Sequence, residues 1–348
     1  MNDYSRIKQE IFNIKDEIDF RRVALEIFRI QSRWCAPYKE YLSILDIDSE
    51  SITDIESIPF LPARYFKSRD VVCQNTPEGS DCKKRPDIEK IFTSSATTGM
   101  VPARHLVKDV SIYQESFLKT FSLFFGPPER YTILALLPSY LEREGSSLVY
   151  MADRLIKLTG KKDSGFYLYN FEELYNTLIR LRGGNEPTIL LGVSFALLDF
   201  IGKYKIDFPA LTVMETGGMK GRGSEISRNK LHTLLANGFG IEKIASEYGM
   251  AELLSQAYSF GDGLFRTPPW MRILIRDINN PFRIYDTFQV GDRAPDKEGG
   301  INIIDLANIN SCSFIETEDL GIKKPGNLFT ISGRISNSER RGCNMLLE

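Results

Sequence analysis

The chain has 348 residues, of which 42% are hydrophobic, with 44 basic and 46 acidic side chains. A chain of this length can bury a sizeable core, and its length suggests about two domains. Because the charges nearly balance and no long block of one sign occurs, the composition argues against a nucleic-acid groove or a polybasic membrane anchor. It favours chemistry on small molecules.

Five cysteines are scattered along the chain without a Cys-x-x-Cys pair, namely Cys35, Cys73, Cys82, Cys312 and Cys343. This pattern argues against a disulfide framework and a zinc cluster, so a reducing cytoplasm is the expected compartment. The charged N-terminus and the lack of an apolar run near the ~18 residues that span a bilayer predict neither a signal peptide nor a transmembrane helix.

The first 45 residues carry apolar side chains at helical spacing. This spacing predicts helices that pack on the body of the protein, and we assign residues 1–86 to an N-terminal helical region. The apolar positions are Ile7, Ile11, Ile14, Ile18, Val23, Ile27 and Ile30.

The segment FTSSATTGMVPARH, residues 92–105, is rich in hydroxyl groups. Small residues let the backbone approach an anion closely, and short hydroxyl side chains add donors, so phosphate is the expected ligand. The alternative is an ordinary solvated loop, since the segment lacks the Gly-x4-Gly-Lys-Ser/Thr pattern. The residues concerned are Thr93, Ser94, Ser95, Thr97, Thr98 and Gly99, followed by Arg104 and His105.

From about residue 87 onward, short apolar runs alternate with amphipathic stretches. Residues 131–138, 188–195 and 211–218 are predicted to be buried strands, and residues 171–182 and 225–238 to be helices. The alternation predicts an α/β core with a mainly parallel sheet over residues 87–266, whose ligands bind beyond the carboxyl ends of strands.

After about Thr267 the pattern changes to short strands separated by glycine and proline, as in WMRILIRD, GGINIIDL and FTISGR. This predicts a smaller β-rich subdomain over residues 267–348.

Further segments lie where such a sheet would present loops: LPSYLEREGSS, ETGGMKGR, SEYGMAE, TEDLG and the pair GR at 333–334. Paired glycines would let a flat ring lie against the backbone, and SEYGMAE offers an aromatic ring and a carboxylate. Each segment also has a structural alternative, since paired glycines form turns, Tyr248 can pack in the core and Asp319 can cap a helix or turn.

Together and in this order, these segments resemble the adenylate-forming superfamily, which activates carboxylic acids with ATP, and within it the LuxE-type acyl-protein synthetases. The resemblance runs from about Phe92 to the C-terminus. It is carried by LLPSYLEREGSSLVYM, ETGGMKGR, SEYGMAELLSQAYS, PPWMRILIRD, GGINIIDLANINSCSFIETEDLG and SERRGC. It implies an α/β fold with a large N-terminal domain, a mainly parallel sheet and a small β-rich subdomain. The C-terminal lid of larger relatives is expected to be absent, because the chain stops soon after Arg334.

The resemblance also implies a role for each matching residue, with ATP and Mg²⁺ as cofactors. The matching positions are Ser94, Ser95, Thr97, Thr98 and Gly99 for the ATP phosphates, Gly217 and Gly218 for the adenine pocket, Tyr248 for stacking on adenine, Glu252 for Mg²⁺, Asp319 for the ribose hydroxyls, and Arg334 near ribose and phosphates.

Cys343, in RRGC, corresponds in this family to the cysteine that receives the acyl group as a thioester. Arg340 and Arg341 could lower its pKa and so increase the thiolate fraction. The alternative is a spare cysteine in the C-terminal tail. Cys312, flanked by apolar residues, is expected to be buried.

Three departures from the family pattern affect the transfer of function. Ala96 stands where the family places glycine, and Ala251 where it places threonine. The lysine of the missing lid has no evident replacement. Arg104 is one candidate for that catalytic charge, and a solvated surface charge is the alternative.

Three hypotheses follow. The first is an ATP-dependent acyl-protein synthetase that loads a fatty or related acid on Cys343 for an acyl-accepting reductase or transferase partner. The second is an aryl- or acyl-CoA ligase similar to phenylacetate–CoA ligases. The third is a nucleotide-binding protein that has lost catalysis through Ala96 and Ala251. Apolar walls for the acid are expected from residues 194–200.

Overall fold

The computed structural model describes residues 3–74, 87–94, 101–138, 145–217, 226–285 and 297–335. The predicted N-terminal helices are present. Their apolar stripe is buried or, at Ile14 and Ile30, partly buried, whereas Ile18, in the first turn of the second helix, is 79% exposed. The helices are α1 (Asp3–Ile11), α2 (Glu17–Trp34), α3 (Ala36–Ile44), α4 (Tyr65–Ser68), α5 (Val110–Phe125), α6 (Ser147–Thr159), α7 (Phe171–Arg182), α8 (Ser194–Lys203) and α9 (Arg228–Phe239).

The predicted strands over residues 131–138, 188–195 and 211–218 also form, each slightly shorter than its apolar run. The strands are β1 (Leu61–Pro62), β2 (Lys90–Thr93), β3 (Arg104–Val107), β4 (Thr132–Leu136), β5 (Gly165–Tyr167), β6 (Thr188–Val193), β7 (Leu211–Thr216), β8 (Ala245–Tyr248), β9 (Ala257–Ser259), β10 (Phe265–Arg266), β11 (Met271–Arg276), β12 (Gly299–Asp305), β13 (Phe314–Lys324) and β14 (Leu328–Arg334).

Within the described residues, twelve of these strands form one sheet in the order β11-β12-β13-β14-β10-β9-β8-β7-β6-β4-β5, with β1 added in parallel to β13. In this sheet order, the pairings among β5, β4, β6, β7 and β8 are parallel. The next pairing, between β8 and β9, is antiparallel, and so are all those that follow along the sheet to β11. The α/β class is therefore confirmed. The β-rich segment continues the parallel sheet as an antiparallel extension of it.

This mixture follows from the connections. Parallel neighbours need a crossover of a dozen or more residues. Helix α6 lies in the crossover between β4 and β5, α8 in that between β6 and β7, and α9 in that between β7 and β8. Helix α8 packs closely on β6. A Cβ atom added at Gly192 would lie only 2.7 Å from the Leu197 side chain, so glycine allows this approach. All six residues of β6 are buried, which explains its continuous apolar run.

The N-terminal region docks on the turn between β12 and β13. The amide of Gln31, on α2, donates to the backbone oxygen of Asn308 over 2.9 Å, and the backbone N–H of Ser313 donates to the Gln31 side chain over 2.9 Å. Tyr38 stacks on Phe314 with 6.2 Å between ring centroids. None of the described helices combines the length and apolar character needed to cross a membrane.

Candidate active site

The parallel strands β6, β7 and β8 end at the same edge of the sheet, where the chain leaves them for loops. Gly217 follows β7 with φ of +67°, a left-handed conformation that favours glycine and turns the chain out of the sheet. The Ser194 hydroxyl donates to the Gly217 backbone oxygen over 2.5 Å and so joins the ends of β6 and β7. Gly218 lies outside the described residues.

Three residues with predicted roles meet at this edge. The Tyr248 hydroxyl donates to Oδ2 of Asp319 over 2.7 Å, and Nε of Arg334 donates to Oδ1 of the same carboxylate over 3.1 Å. Asp319 on β13 and Arg334 on β14 face each other across the ladder, while Tyr248 arrives from the parallel half of the sheet. The antiparallel extension thus brings distant motifs together.

The Tyr248 ring is half-buried, and its sides pack edge-on against Phe265 and Phe329, at centroid distances of 6.1 and 5.9 Å. Burial, and after it the negative charge of Asp319, raises the pKa of the Tyr248 hydroxyl well above its usual range. Tyr248 therefore acts as a neutral hydrogen-bond donor with a fixed ring.

Glu252 is only 6% exposed, in the loop that follows Tyr248. Burial raises its pKa to about 7; its own backbone N–H and the positive charge of Lys67 oppose that rise, and the charge of Asp319 adds to it. Lys67 is an exposed residue of α4 in the N-terminal region. Glu252 therefore sits where a nearby cation would favour its charged form.

Asp305, at the end of β12, binds the backbone of the loop that carries Glu252. This carboxylate accepts hydrogen bonds from the backbone N–H groups of Leu254 and Ser255, over 2.8 and 2.9 Å, and from the Ser255 hydroxyl over 2.6 Å. Burial raises the pKa of Asp305 to about 6, and these donors oppose the rise. The loop backbone is thereby fixed relative to the antiparallel strands.

The predicted phosphate segment begins as a hairpin of β2 and β3. The Ser94 hydroxyl accepts a hydrogen bond from the Ala103 N–H over 2.8 Å, and the Ser94 N–H donates to the Ala103 backbone oxygen over 3.0 Å. Ser94 thus closes the base of the loop. The remaining predicted phosphate ligands Ser95, Thr97, Thr98 and Gly99, together with Ala96, lie outside the described residues.

Arg104, the candidate for the missing catalytic charge, lies on the outer face of β3. Its side chain is 48% exposed, and its Nη1 lies 3.5 Å from Oδ1 of Asp70, which is also exposed. This environment is the one expected of a solvated surface charge.

His105, the next residue, points inward and is 1% exposed. Its Nδ1 lies 3.0 Å from the Ala251 backbone oxygen and its Nε2 lies 2.9 Å from the Ser311 hydroxyl. Burial lowers the pKa of His105 to about 4, so the ring is neutral near pH 7. No role was predicted for His105 from the sequence; the alternation of side chains along β3 would have placed it opposite Arg104, on the inner face.

Two buried carboxylates on neighbouring strands were also missed. Glu247, just before Tyr248, accepts a hydrogen bond from the Thr216 hydroxyl, and burial raises its pKa to about 7. Glu215 lies 3.4 Å from Nε2 of His232 and 3.8 Å from Nε of Arg228. Their signal in the sequence was a charged residue within an otherwise apolar buried strand, which is rare unless the charge is paired.

Cys312 is fully buried, as expected, and its thiol donates to the Phe314 backbone oxygen over 3.4 Å. Cys343, with Arg340 and Arg341, lies outside the described residues. Within the part of the chain that the structure covers, no group of three or more histidine, cysteine or carboxylate side chains is arranged to hold a metal ion.

Comparison with solved structures identifies the fold. A 2-hydroxyisobutyryl-CoA ligase matches 92% of this chain and 71% of its own, with a TM-score of 0.61 and 11% identity. A luciferase-like enzyme from the nonluminescent mealworm Zophobas morio matches 74% of this chain at a TM-score of 0.48 and 16% identity, and this chain spans 62% of that enzyme. A long-chain-fatty-acid–CoA ligase from Archaeoglobus fulgidus matches 72% of this chain, with a TM-score of 0.48 and 13% identity. This chain spans 52% of that ligase.

The fold is thus similar to that of the 2-hydroxyisobutyryl-CoA ligase. The family model described as "Acyl-protein synthetase, LuxE" matches residues 12–348. The chain therefore belongs to the LuxE acyl-protein synthetase family, which confirms the resemblance found in the sequence motifs. No match to a curated protein was found.

Proposed function

We propose that this protein uses ATP to activate a carboxylic acid, expected to be a fatty acid, as an acyl-adenylate and then transfers the acyl group to the Cys343 thiol. The observation that carries the first step is the meeting of Tyr248, Asp319 and Arg334 at the carboxyl edge of the sheet, within electrostatic reach of Glu252. Ligands of open α/β sheets bind at this edge.

The residues fit a nucleotide. Each Asp319 oxygen takes one donor from the protein, and a carboxylate oxygen can accept a second, so both remain able to bind ribose hydroxyls. Adenine would lie on the half-buried ring of Tyr248. The Arg334 side chain is 70% exposed, and its Nε donates to Asp319. Its two terminal guanidinium nitrogens can then donate to phosphate oxygens.

Glu252 fits the magnesium role. Mg²⁺ in phosphoryl-transfer sites is commonly held by one or two carboxylates together with the substrate phosphates, so a single buried carboxylate is an adequate protein contribution. When bound, the ion would neutralise charge on the phosphate oxygens and the departing pyrophosphate. Because burial raises the pKa of Glu252 to about 7, such a cation would increase its charged fraction near neutral pH.

In the first half-reaction the acid carboxylate would attack the α-phosphorus of ATP, forming an acyl–phosphate bond while pyrophosphate leaves. A carboxylate is already a nucleophile at neutral pH, so no general base is required. In the second, the Cys343 thiolate would attack the acyl carbonyl, forming a thioester while AMP leaves. A reducing cytoplasm would keep that thiol available, and an acyl-accepting reductase or transferase would take the group onward.

The 2-hydroxyisobutyryl-CoA ligase was solved with 2-HIB-AMP and CoA bound, so the shared fold accommodates an acyl-adenylate in that enzyme. The same comparison supports a second candidate, a CoA ligase in which free CoA replaces Cys343. A third candidate is a silent nucleotide-binding protein, for which the sequence basis is the pair Ala96 and Ala251.

Acid-dependent ATP–pyrophosphate exchange tests the first step. With a panel of fatty and aryl acids we expect exchange for at least one acid, and Asp319→Ala should reduce it about 10-fold or more, because it removes a charged hydrogen-bond acceptor. The matched control is Asp153→Ala, at an aspartate on α6 that pairs with Lys157. ATP binding without exchange for any acid would favour the silent protein, and Ala96→Gly with Ala251→Thr should then restore activity.

Intact-protein mass spectrometry tests the second step. We expect a hydroxylamine-sensitive acyl adduct that maps to Cys343, and Cys343→Ser should lose the adduct while retaining exchange. Turnover that needs CoA and tolerates Cys343→Ser would instead establish the CoA ligase.

A further inference from the structure

His105 connects three separate segments of the chain. It lies at the start of the hairpin strand β3, paired in register with Phe92, while Ala251 belongs to the Glu252 loop and Ser311 to the turn before β13. The Phe66 ring packs edge-on against the imidazole at 5.4 Å. The contact therefore ties the base of the predicted phosphate loop to the loop that carries Glu252.

The two hydrogen bonds require one tautomer. A backbone oxygen can only accept, so Nδ1 carries the proton that is donated to Ala251. In the neutral ring, Nε2 is then an acceptor and receives the Ser311 hydroxyl. A side chain without this donor and acceptor pair cannot make both contacts.

These contacts fix the backbone around Glu252 on both sides. The Ala251 oxygen is held by His105, and the Glu252 oxygen accepts from the Asn308 side-chain amide over 2.8 Å. Ser311, the second partner of His105, lies three residues from Asn308, and its backbone N–H donates to the Asn308 backbone oxygen over 2.9 Å. His105 and Asn308 thus bind the consecutive carbonyls of Ala251 and Glu252. The direction of the Glu252 side chain depends on both bonds.

We propose that His105 is a positioning residue for the nucleotide-bound metal ion, acting through the Ala251 carbonyl to set the distance between Glu252 and the phosphate hairpin. This inference rests on the proposed function, which assigns Glu252 to Mg²⁺. Residues that orient metal ligands in this way alter metal affinity by about 10- to 100-fold when they are removed.

Two substitutions separate the two hydrogen bonds. His105→Asn can place its amide N–H near the position of Nδ1 and keep the bond to Ala251. His105→Gln can place its amide near Nε2, keeping a partner for Ser311 while losing Ala251. Both variants introduce a buried amide in place of the ring, so they share the general loss of packing against Phe66.

The readout is Mn²⁺ affinity, measured by electron paramagnetic resonance with an ATP analogue that cannot be cleaved between the α- and β-phosphates. We expect His105→Gln to weaken Mn²⁺ binding about 10-fold or more, and His105→Asn to remain close to wild type. Urea unfolding should show similar losses of stability for both. Ser311→Ala, which keeps the Ala251 bond, should behave like His105→Asn.

Equal Mn²⁺ affinity in His105→Gln and His105→Asn would overturn the proposal and leave His105 a core residue. Glu252→Gln separates this failure from failure of the proposed function. If Glu252→Gln weakens Mn²⁺ binding and His105→Gln does not, only the role of His105 is wrong. If Glu252→Gln has no effect, the assignment of Glu252 to the metal is wrong, and the role of His105 falls with it.

Discussion

The Tyr248 hydroxyl donates a 2.7 Å hydrogen bond to the Asp319 carboxylate across 71 residues of sequence. Tyr248 ends β8 in the parallel half of the sheet, whereas Asp319 lies on β13 in the antiparallel half. Arg334 occupies the other oxygen of Asp319, so the carboxylate is held between the two halves. The bond therefore links the fold to the proposed ribose site.

Tyr248→Phe removes this bond while leaving the ring. Because the acceptor is a carboxylate, we expect the free energy of unfolding to fall by about 1.5–3 kcal/mol. ATP affinity should fall less, since the aromatic surface remains. Urea unfolding and ATP titration measure the two effects, and Tyr169→Phe, at an exposed tyrosine, is the control. A double-mutant cycle with Asp319→Ala, which removes the acceptor, would show that the bond does not form if it gave no coupling energy.

Glu252→Gln should change how stability depends on pH. The folded-state pKa of Glu252, about 7, is above its ordinary value of 4.5, so the folded protein binds this proton more tightly than the unfolded chain. Stability of the wild type is therefore lost through this group as pH rises from about 4.5 to 7. At about 1.4 kcal/mol for each pH unit, the variant should gain up to about 3 kcal/mol over wild type at pH 8 and none at pH 4.

The measurement is the free energy of unfolding of both proteins from pH 4 to 8, in EDTA so that no metal favours the charged form. Glu247 and Asp305 also have raised pKa values, but they are present in both proteins and cancel in the difference. A difference that stays constant with pH would contradict the buried, raised-pKa state of Glu252.

Lys67→Met should raise the pKa of Glu252 further. Among other residues, Lys67 lowers the pKa of Glu252 most through its positive charge. Loss of that charge disfavours the ionised carboxylate. Carbon-13 NMR of labelled glutamate carboxyl groups can follow this titration. Lys157→Met removes the same charge from the distant helix α6 and should leave the pKa of Glu252 unchanged. An equal shift in both variants would indicate only an effect of net charge.

Gly145→Ala should disturb the phosphate hairpin, and Gly160→Ala provides its match. Both glycines have left-handed backbones, with φ of +84° and +62°, so alanine at either position strains the chain by roughly 1 kcal/mol. At Gly145 the added carbon would also lie 3.0 Å from Oγ1 of Thr93, whereas nothing lies within 4 Å at Gly160. We therefore expect a larger loss of stability for Gly145→Ala.

Only Gly145→Ala should also raise the KM for ATP, because Thr93 precedes the predicted phosphate loop and its N–H donates to the Gly145 backbone oxygen. Thermal unfolding and exchange kinetics on the two variants measure both effects. Equal stability losses with an unchanged KM would show that the hairpin does not depend on this contact.

Much of the fold could be predicted from local pattern. Helix α7 spans the predicted residues 171–182, and α9 begins three residues later than predicted, at Arg228, because Ser227 caps it by accepting from the Lys230 N–H. What periodicity could not give was the pairing of β8, through β9 and β10, with the strand β14 far along the chain. Strand order depends on which apolar faces are buried together, and sequence separation does not reveal it.

The sequence by itself determined the α/β class and the family, because motif order and short-range periodicity are properties of the chain. It also predicted site roles for Tyr248, Glu252, Asp319 and Arg334, which remain predictions. The division at residues 86 and 266 remains a prediction. Only the tertiary structure decided that Arg104 faces solvent, that His105 bridges Ala251 and Ser311, and that Lys67 acts on Glu252. Each of these depends on burial and on neighbours brought from distant segments, since hydrogen bonds and charge interactions act over a few ångströms of space whatever the separation in sequence.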